Sequence, residues 1–92
     1  MAIFVEVNTA TPKTKGQPGS GTGAGAMEIE TIWKGGKITF DTEQILSYGK
    51  YFDPNKNNGS GGYINDKISV SLGMSGFIFN GTISQFETAV GL

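Results

Sequence analysis

The chain has 92 residues, enough for one domain, and its seven basic and eight acidic side chains give a net charge of −1. It contains no cysteine and no histidine, which removes disulfides, thiolate zinc sites and most general bases, nucleophiles and transition-metal ligands. The near-balanced charge gives no electrostatic footprint for a nucleic-acid backbone or an anionic membrane surface, so neither is expected as a partner.

The chain opens with alternation. Over Ala2–Thr9, Ile3, Val5 and Val7 share one face, which reads as a strand. This stretch has no basic leader and is broken by Glu6, so no signal peptide is expected. No segment approaches the roughly 20 apolar residues that span a bilayer.

Residues 10–26 follow as an extended Gly/Pro-rich arm or loop, longer than the ~4–6 residues usual between elements. It carries Gly16, Gly19, Gly21, Gly23 and Gly25. Ordering backbone costs roughly 1–2 kcal/mol per residue, with glycine at the upper end. From 16 to 26 no side chain larger than Gln17 is present to offset that by burial. An ordered arm must therefore borrow its order, and these five glycines are expected to form an assembly arm on a neighbouring subunit. The same run fits the dinucleotide pattern G-x-G-x-x-A over Gly19–Ala24. A strand-like sequence follows it instead of a helix, so the dipole that holds a phosphate is missing and no nucleotide is expected.

Met27–Trp33 alternates again, Gly35-Gly36 reads as a turn, and Lys37–Phe40 as a returning strand, together a hairpin. Glu28 and Glu30 would share one face of the first strand, where a solvated pair is expected. Asp41–Gly49 switches period: Asp41 is a candidate cap, Gln44 completes a capping box and Gly49 fits the position after the last turn. One helix of about two turns is expected there, held by packing on the sheet.

The second loop, from Lys50 to Tyr63, contains Asp53, Asn55 and Asn57 in an order like the start of a calcium loop. It supplies only one carboxylate, and Ile64 stands where glutamate belongs, so a turn is the better reading. Tyr63–Met74 is the longest alternation, with Ile64, Ile68, Val70, Leu72 and Met74 on one face and Ser69 and Ser71 on the other. Asn80-Gly81 between two apolar runs predicts a type I′ hairpin, with Glu87–Leu92 continuing the last strand or fraying. Asn58-Gly59-Ser60 and Asn80-Gly81-Thr82 match the glycosylation pattern, but both also have a turn's reason to exist.

Five or six strands and one short helix predict a single mainly β domain over residues 1–92. Its expected form is a small antiparallel β-sandwich or partly open barrel with one short helix and a long Gly-rich arm. The aromatics Trp33, Tyr48, Tyr51, Phe52 and Tyr63 gather around the expected helix and second loop, where exposed rings could stack on sugars. Only 16% of residues are charged, against about 25% in average usage, and such a surface suits extracellular proteins, virion proteins and packed assemblies.

The function expected is that of a non-enzymatic structural subunit of a symmetric assembly, such as a capsid-decoration or tail protein. It would self-associate or bind other structural subunits, in a virion or other extracellular assembly, after synthesis in the cytoplasm. No catalytic residue, cofactor or metal is expected. The alternatives are a carbohydrate-type binding module built on the aromatics, and a phage-encoded inhibitor that adds a strand to its target.

Overall fold

The computed structural model describes residues 3–15, 30–57 and 59–92. Five strands appear there: β1 (Phe4–Lys15), β2 (Glu30–Asp41), β3 (Ser47–Asp53), β4 (Gly62–Ser71) and β5 (Gly76–Asn80). One α-helix, α1 (Ile83–Val90), follows them. The strands form one antiparallel sheet in the order β2-β1-β5-β4-β3, so β2 and β3 are its edges. The mainly β, antiparallel class with one short helix is as the sequence predicts. The five glycines of the expected arm lie outside the described residues.

Four local expectations are corrected. Gly35-Gly36 is not a turn. β2 runs through it in unbroken register, with Gly35 opposite Ala10 and Gly36 opposite Thr9. The reason lies in β1, which extends to Lys15 and supplies a ladder partner for every residue of β2. Residues 10–15, expected in the arm, are therefore strand.

The Asp41–Gly49 helix is not formed. The Asp41 carboxylate does cap, accepting from the Glu43 amide at 2.9 Å, but it caps a single 3-10 turn, Thr42–Gln44. The Leu46 amide then donates to the Ser71 carbonyl at 2.8 Å, and β3 begins alongside β4. An open sheet edge outcompetes a two-turn helix that nucleates poorly by itself.

Asn80-Gly81 does not turn a hairpin. Gly81 donates its amide to the Asp66 carbonyl at 2.9 Å, and the chain enters α1. Thr82 caps α1 in a full capping box: its hydroxyl accepts from the Gln85 amide, while Gln85 Oε1 accepts from the Thr82 amide. Gly91, left-handed at φ 82°, ends it. Finally, β4 stops at Ser71, so Met74 sits in an exposed turn and not on the apolar face.

The main core lies where α1 crosses the sheet. Val7, Phe40, Ile68, Val70, Phe79, Phe86 and Val90 form it, and Phe86 and Ile68 are fully buried. Burying each such side chain contributes about 1.5–3 kcal/mol. The Phe86 ring packs edge-on against Phe79 at 5.3 Å and tilted against Tyr48 at 4.9 Å.

The long β1–β2 ribbon changes its inner face halfway. Near its start, Val5 and Val7 pair with Phe40 and Ile38 on the α1 side. Past the glycines, Ala10 and Pro12 on β1 and Trp33 and Thr31 on β2 become the sheltered residues. These alternate positions project from the opposite face. β4 does the same at a bulge, where pairing with β3 jumps from Lys50–Ile68 to Tyr51–Ile64 and both Lys67 and Ile68 are buried. The domain thus has two clusters on opposite faces, one under α1 and one where Tyr51, Asp53 and Lys67 meet the far half of the ribbon.

Candidate functional site

The five aromatics expected to act together are divided among three places. Trp33 and Tyr51 pack edge-to-face at 5.5 Å, with the Lys67 ammonium 5.3 Å over the Trp33 ring. That ammonium also sits 3.4 Å from Asp66 Oδ2. Beside them, the buried Asp53 carboxylate accepts from the Thr31 hydroxyl at 2.7 Å and from the Asn55 amide at 2.9 Å. The Asn55 side chain donates to Thr14 and Thr31 hydroxyls on both strands of the ribbon. These hydrogen bonds tie the ribbon to the β3–β4 loop.

Tyr48 faces the other way. Its hydroxyl donates to Glu87 Oε2 at 2.7 Å, joining β3 to α1. The hydrogen bond to Glu87 raises the phenol above its ordinary value near 10, with burial and the carboxylate's charge acting in the same direction.

Phe52 and Tyr63 are direct partners across β3 and β4, edge-to-face at 5.2 Å, and both are exposed. The Phe52 ring lies across Gly61: a Cβ there would sit 2.6 Å from Phe52 Cζ. Lys56 donates its ammonium to the Tyr63 carbonyl at 2.7 Å and closes the turn.

A fourth surface was not anticipated. Ile3, Ile45, Leu46, Tyr48, Val90 and Leu92 line a groove of 670 Å³ at the end of the sheet where β1 begins and α1 ends. Three of its walls are apolar side chains left in water: Ile3 is 57% exposed, Leu46 72% and Leu92 72%. The Leu46 backbone is fixed by its bond to Ser71, and the Thr42 amide holds Ile3 by donating to its carbonyl at 2.9 Å. The sequence signal was present in the adjacent apolar pair Ile45-Leu46, inside the segment read as a helix packed on the sheet.

Among the described residues, β2 pairs only with β1, along all twelve of its positions. It has no proline and no bulge, and Lys34 and Lys37 are its only cations. No group of three or more potential metal ligands occurs among the described residues, and no helix there is long and apolar enough to cross a membrane.

No family model, curated protein or solved structure matches this chain.

Proposed function

We propose that the chain is a non-enzymatic structural subunit of a symmetric assembly. The observation that carries this reading is the apolar groove at the end of the sheet. Leu46 and Leu92 stand 72% exposed on a rigid frame, a state that costs free energy in a lone protomer and is relieved by docking. The edge of β2, which among the described residues is unpaired along all twelve positions, supports the same reading, because long unblunted edges invite pairing. The low charge of the sequence favours a virion setting, as a capsid-decoration or tail protein, with the glycines from Gly16 to Gly25 as an arm on a neighbour. The packing of Tyr51, Asp53 and Lys67 against Trp33 and Thr31 favours a sandwich-like far half over an open barrel.

Light scattering on a sizing column tests the reading. The wild-type protein is expected to run as an oligomer, and Leu46→Lys with Leu92→Lys to shift it to smaller species with unchanged circular dichroism. Deleting residues 16–25 is expected to weaken assembly further. A monomeric wild-type protein at every accessible concentration overturns the reading.

The exposed Phe52–Tyr63 corner favours a second reading, a carbohydrate-type binding module, since sugar C–H faces stack on such rings. A glycan array probed with the wild type and with Phe52→Ala/Tyr63→Ala decides it. Binding that is lost in the double variant supports the module, and no binding removes it.

A further inference from the structure

We infer that Asn80-Gly81 is a latent modification site: an asparagine primed by its neighbour to lose its side-chain amide, and kept from doing so by the junction of β5 and α1. The inference does not depend on the assembly reading and holds equally for a monomer.

The reaction is intramolecular. The Gly81 backbone nitrogen, once a solvent base has taken its proton, attacks the Asn80 side-chain carbonyl carbon. The Cγ–Nδ2 bond breaks, ammonia leaves, and a five-membered succinimide remains. Water then opens the ring at either carbonyl, giving aspartate or isoaspartate. One water is consumed and one ammonia released, with no change of oxidation state. Glycine after the asparagine favours ring closure, because no side chain crowds the attacking nitrogen.

The fold imposes that glycine. A Cβ at position 81 would fall 2.6 Å from Phe79 Cε2 and 2.8 Å from Gln85 Oε1, the oxygen that accepts from the Thr82 amide. A larger residue there disturbs a core ring and the capping box together.

The same junction keeps the two reacting groups apart. The Gly81 amide donates to the Asp66 carbonyl at 2.9 Å, so its proton is shielded from base. Asn80 is the last residue of β5 and stands opposite Lys67 in the ladder. Ring closure requires it to rotate out of that extended geometry. One residue further on, Gln85 fixes both the amide and the hydroxyl of Thr82. The backbone is therefore pinned on both sides of the target bond, although Asn80 itself is exposed. Exposure does not open the site. Release of Gly81 from Asp66 does, and that is a local opening of the junction.

Conversion has a structural consequence. Isoaspartate routes the main chain through the side-chain carbon and adds a backbone atom before Thr82. The Asp66 bond and the capping box then lose their common spacing, and with it the seating of Phe86 and Val90 in the core.

Tryptic peptide 68–92 contains Asn80 as its only asparagine, so peptide mapping by mass spectrometry follows this site apart from Asn58-Gly59. In mildly alkaline buffer, Asn80 of the folded protein is expected to convert at least about tenfold more slowly than in a synthetic peptide of residues 77–85. Thr82→Ala removes the hydroxyl half of the capping box. It should raise the folded-state rate about fivefold, with the Gly81 amide exchanging faster by a similar factor in NMR. The signal should vanish in Asn80→Gln. A folded-state rate within tenfold of the peptide's overturns the proposal. So does a Thr82→Ala protein in which Gly81 exchanges faster while Asn80 converts no faster, because the Asp66 bond is then not what holds the site shut.

Discussion

Asp53 accepts from two donors, the Thr31 hydroxyl and the Asn55 amide. Replacing it with alanine leaves both unmet beside the ribbon. Asp53→Ala is expected to cost about 1–3 kcal/mol in urea denaturation, with Asp53→Asn keeping part of the loss back. Tyr48 governs a different property. Its folded-state value lies above that of the unfolded chain, so the native state holds the phenolic proton more tightly. That contribution is fully present below pH 10 or so and is lost as pH rises through the raised value. Stability of the wild type should therefore fall between the unfolded and folded values, and Tyr48→Phe should lose that part of the alkaline decline. Denaturation midpoints compared at neutral and alkaline pH measure it. The identity of Tyr48, Phe52 and Tyr63 as prominent aromatics was legible in the sequence. Their division was not: Tyr48 is held by Glu87 of α1, whereas Phe52 and Tyr63 pair with each other beyond a register shift at Lys50–Tyr51 that no local pattern announces.

Elements reveal where local signals compete. Asn80-Gly81 is a strong hairpin dipeptide, and Thr82 with Gln85 is a capping box one residue later; the box prevails because Phe86 and Val90 then fall on the core. Thr82→Ala is expected to destabilise the protein by about 1 kcal/mol, read as a lowered denaturation midpoint and early loss of helical dichroism. The glycine pair in β2 gives a sharper contrast. A Cβ at Gly36 falls 3.0 Å from the Thr9 hydroxyl, whereas one at Gly35 meets open space. Glycine inside a strand costs roughly 0.5–1 kcal/mol relative to alanine, so Gly35→Ala should stabilise the protomer modestly while Gly36→Ala gains less or loses. Paired midpoints in the same buffer distinguish them. The first half of β1 and most of β4 were legible in the alternation of Ala2–Thr9 and Tyr63–Met74, but β1 runs on to Lys15 and β4 stops at Ser71. The helix at Asp41–Gly49 was misread because its cap is real and only its continuation fails.

At the scale of the molecule, the Cα radius of gyration is 15.9 Å, against roughly 12 Å for a compact chain of this length. The excess reflects a ribbon that projects past the α1 core and is clasped on its other face by Asn55 and Asp53. A mainly β class and antiparallel pairing could be read from turn spacing and alternation. Strand order could not, because it is decided by which distant strands share Val7, Phe79 and Ile68 in one core. The two clusters should differ in local stability. Amides of β4 and β5 under α1 are expected to exchange slowest, and those of β3 near Asp53 to exchange sooner, by native-state hydrogen exchange.

The sheet order has a consequence for how the chain is made. β5 is the last of the five strands to leave the ribosome, yet it lies between β1 and β4 and joins them through Thr9 and Phe79. Until it emerges, no sheet hydrogen bond joins the early ribbon to the later β3–β4 pair, and β1 and β4 each present a naked edge. Nascent chains halted before residue 76 should therefore be the species that clump or recruit chaperones, and those halted well beyond α1 should not.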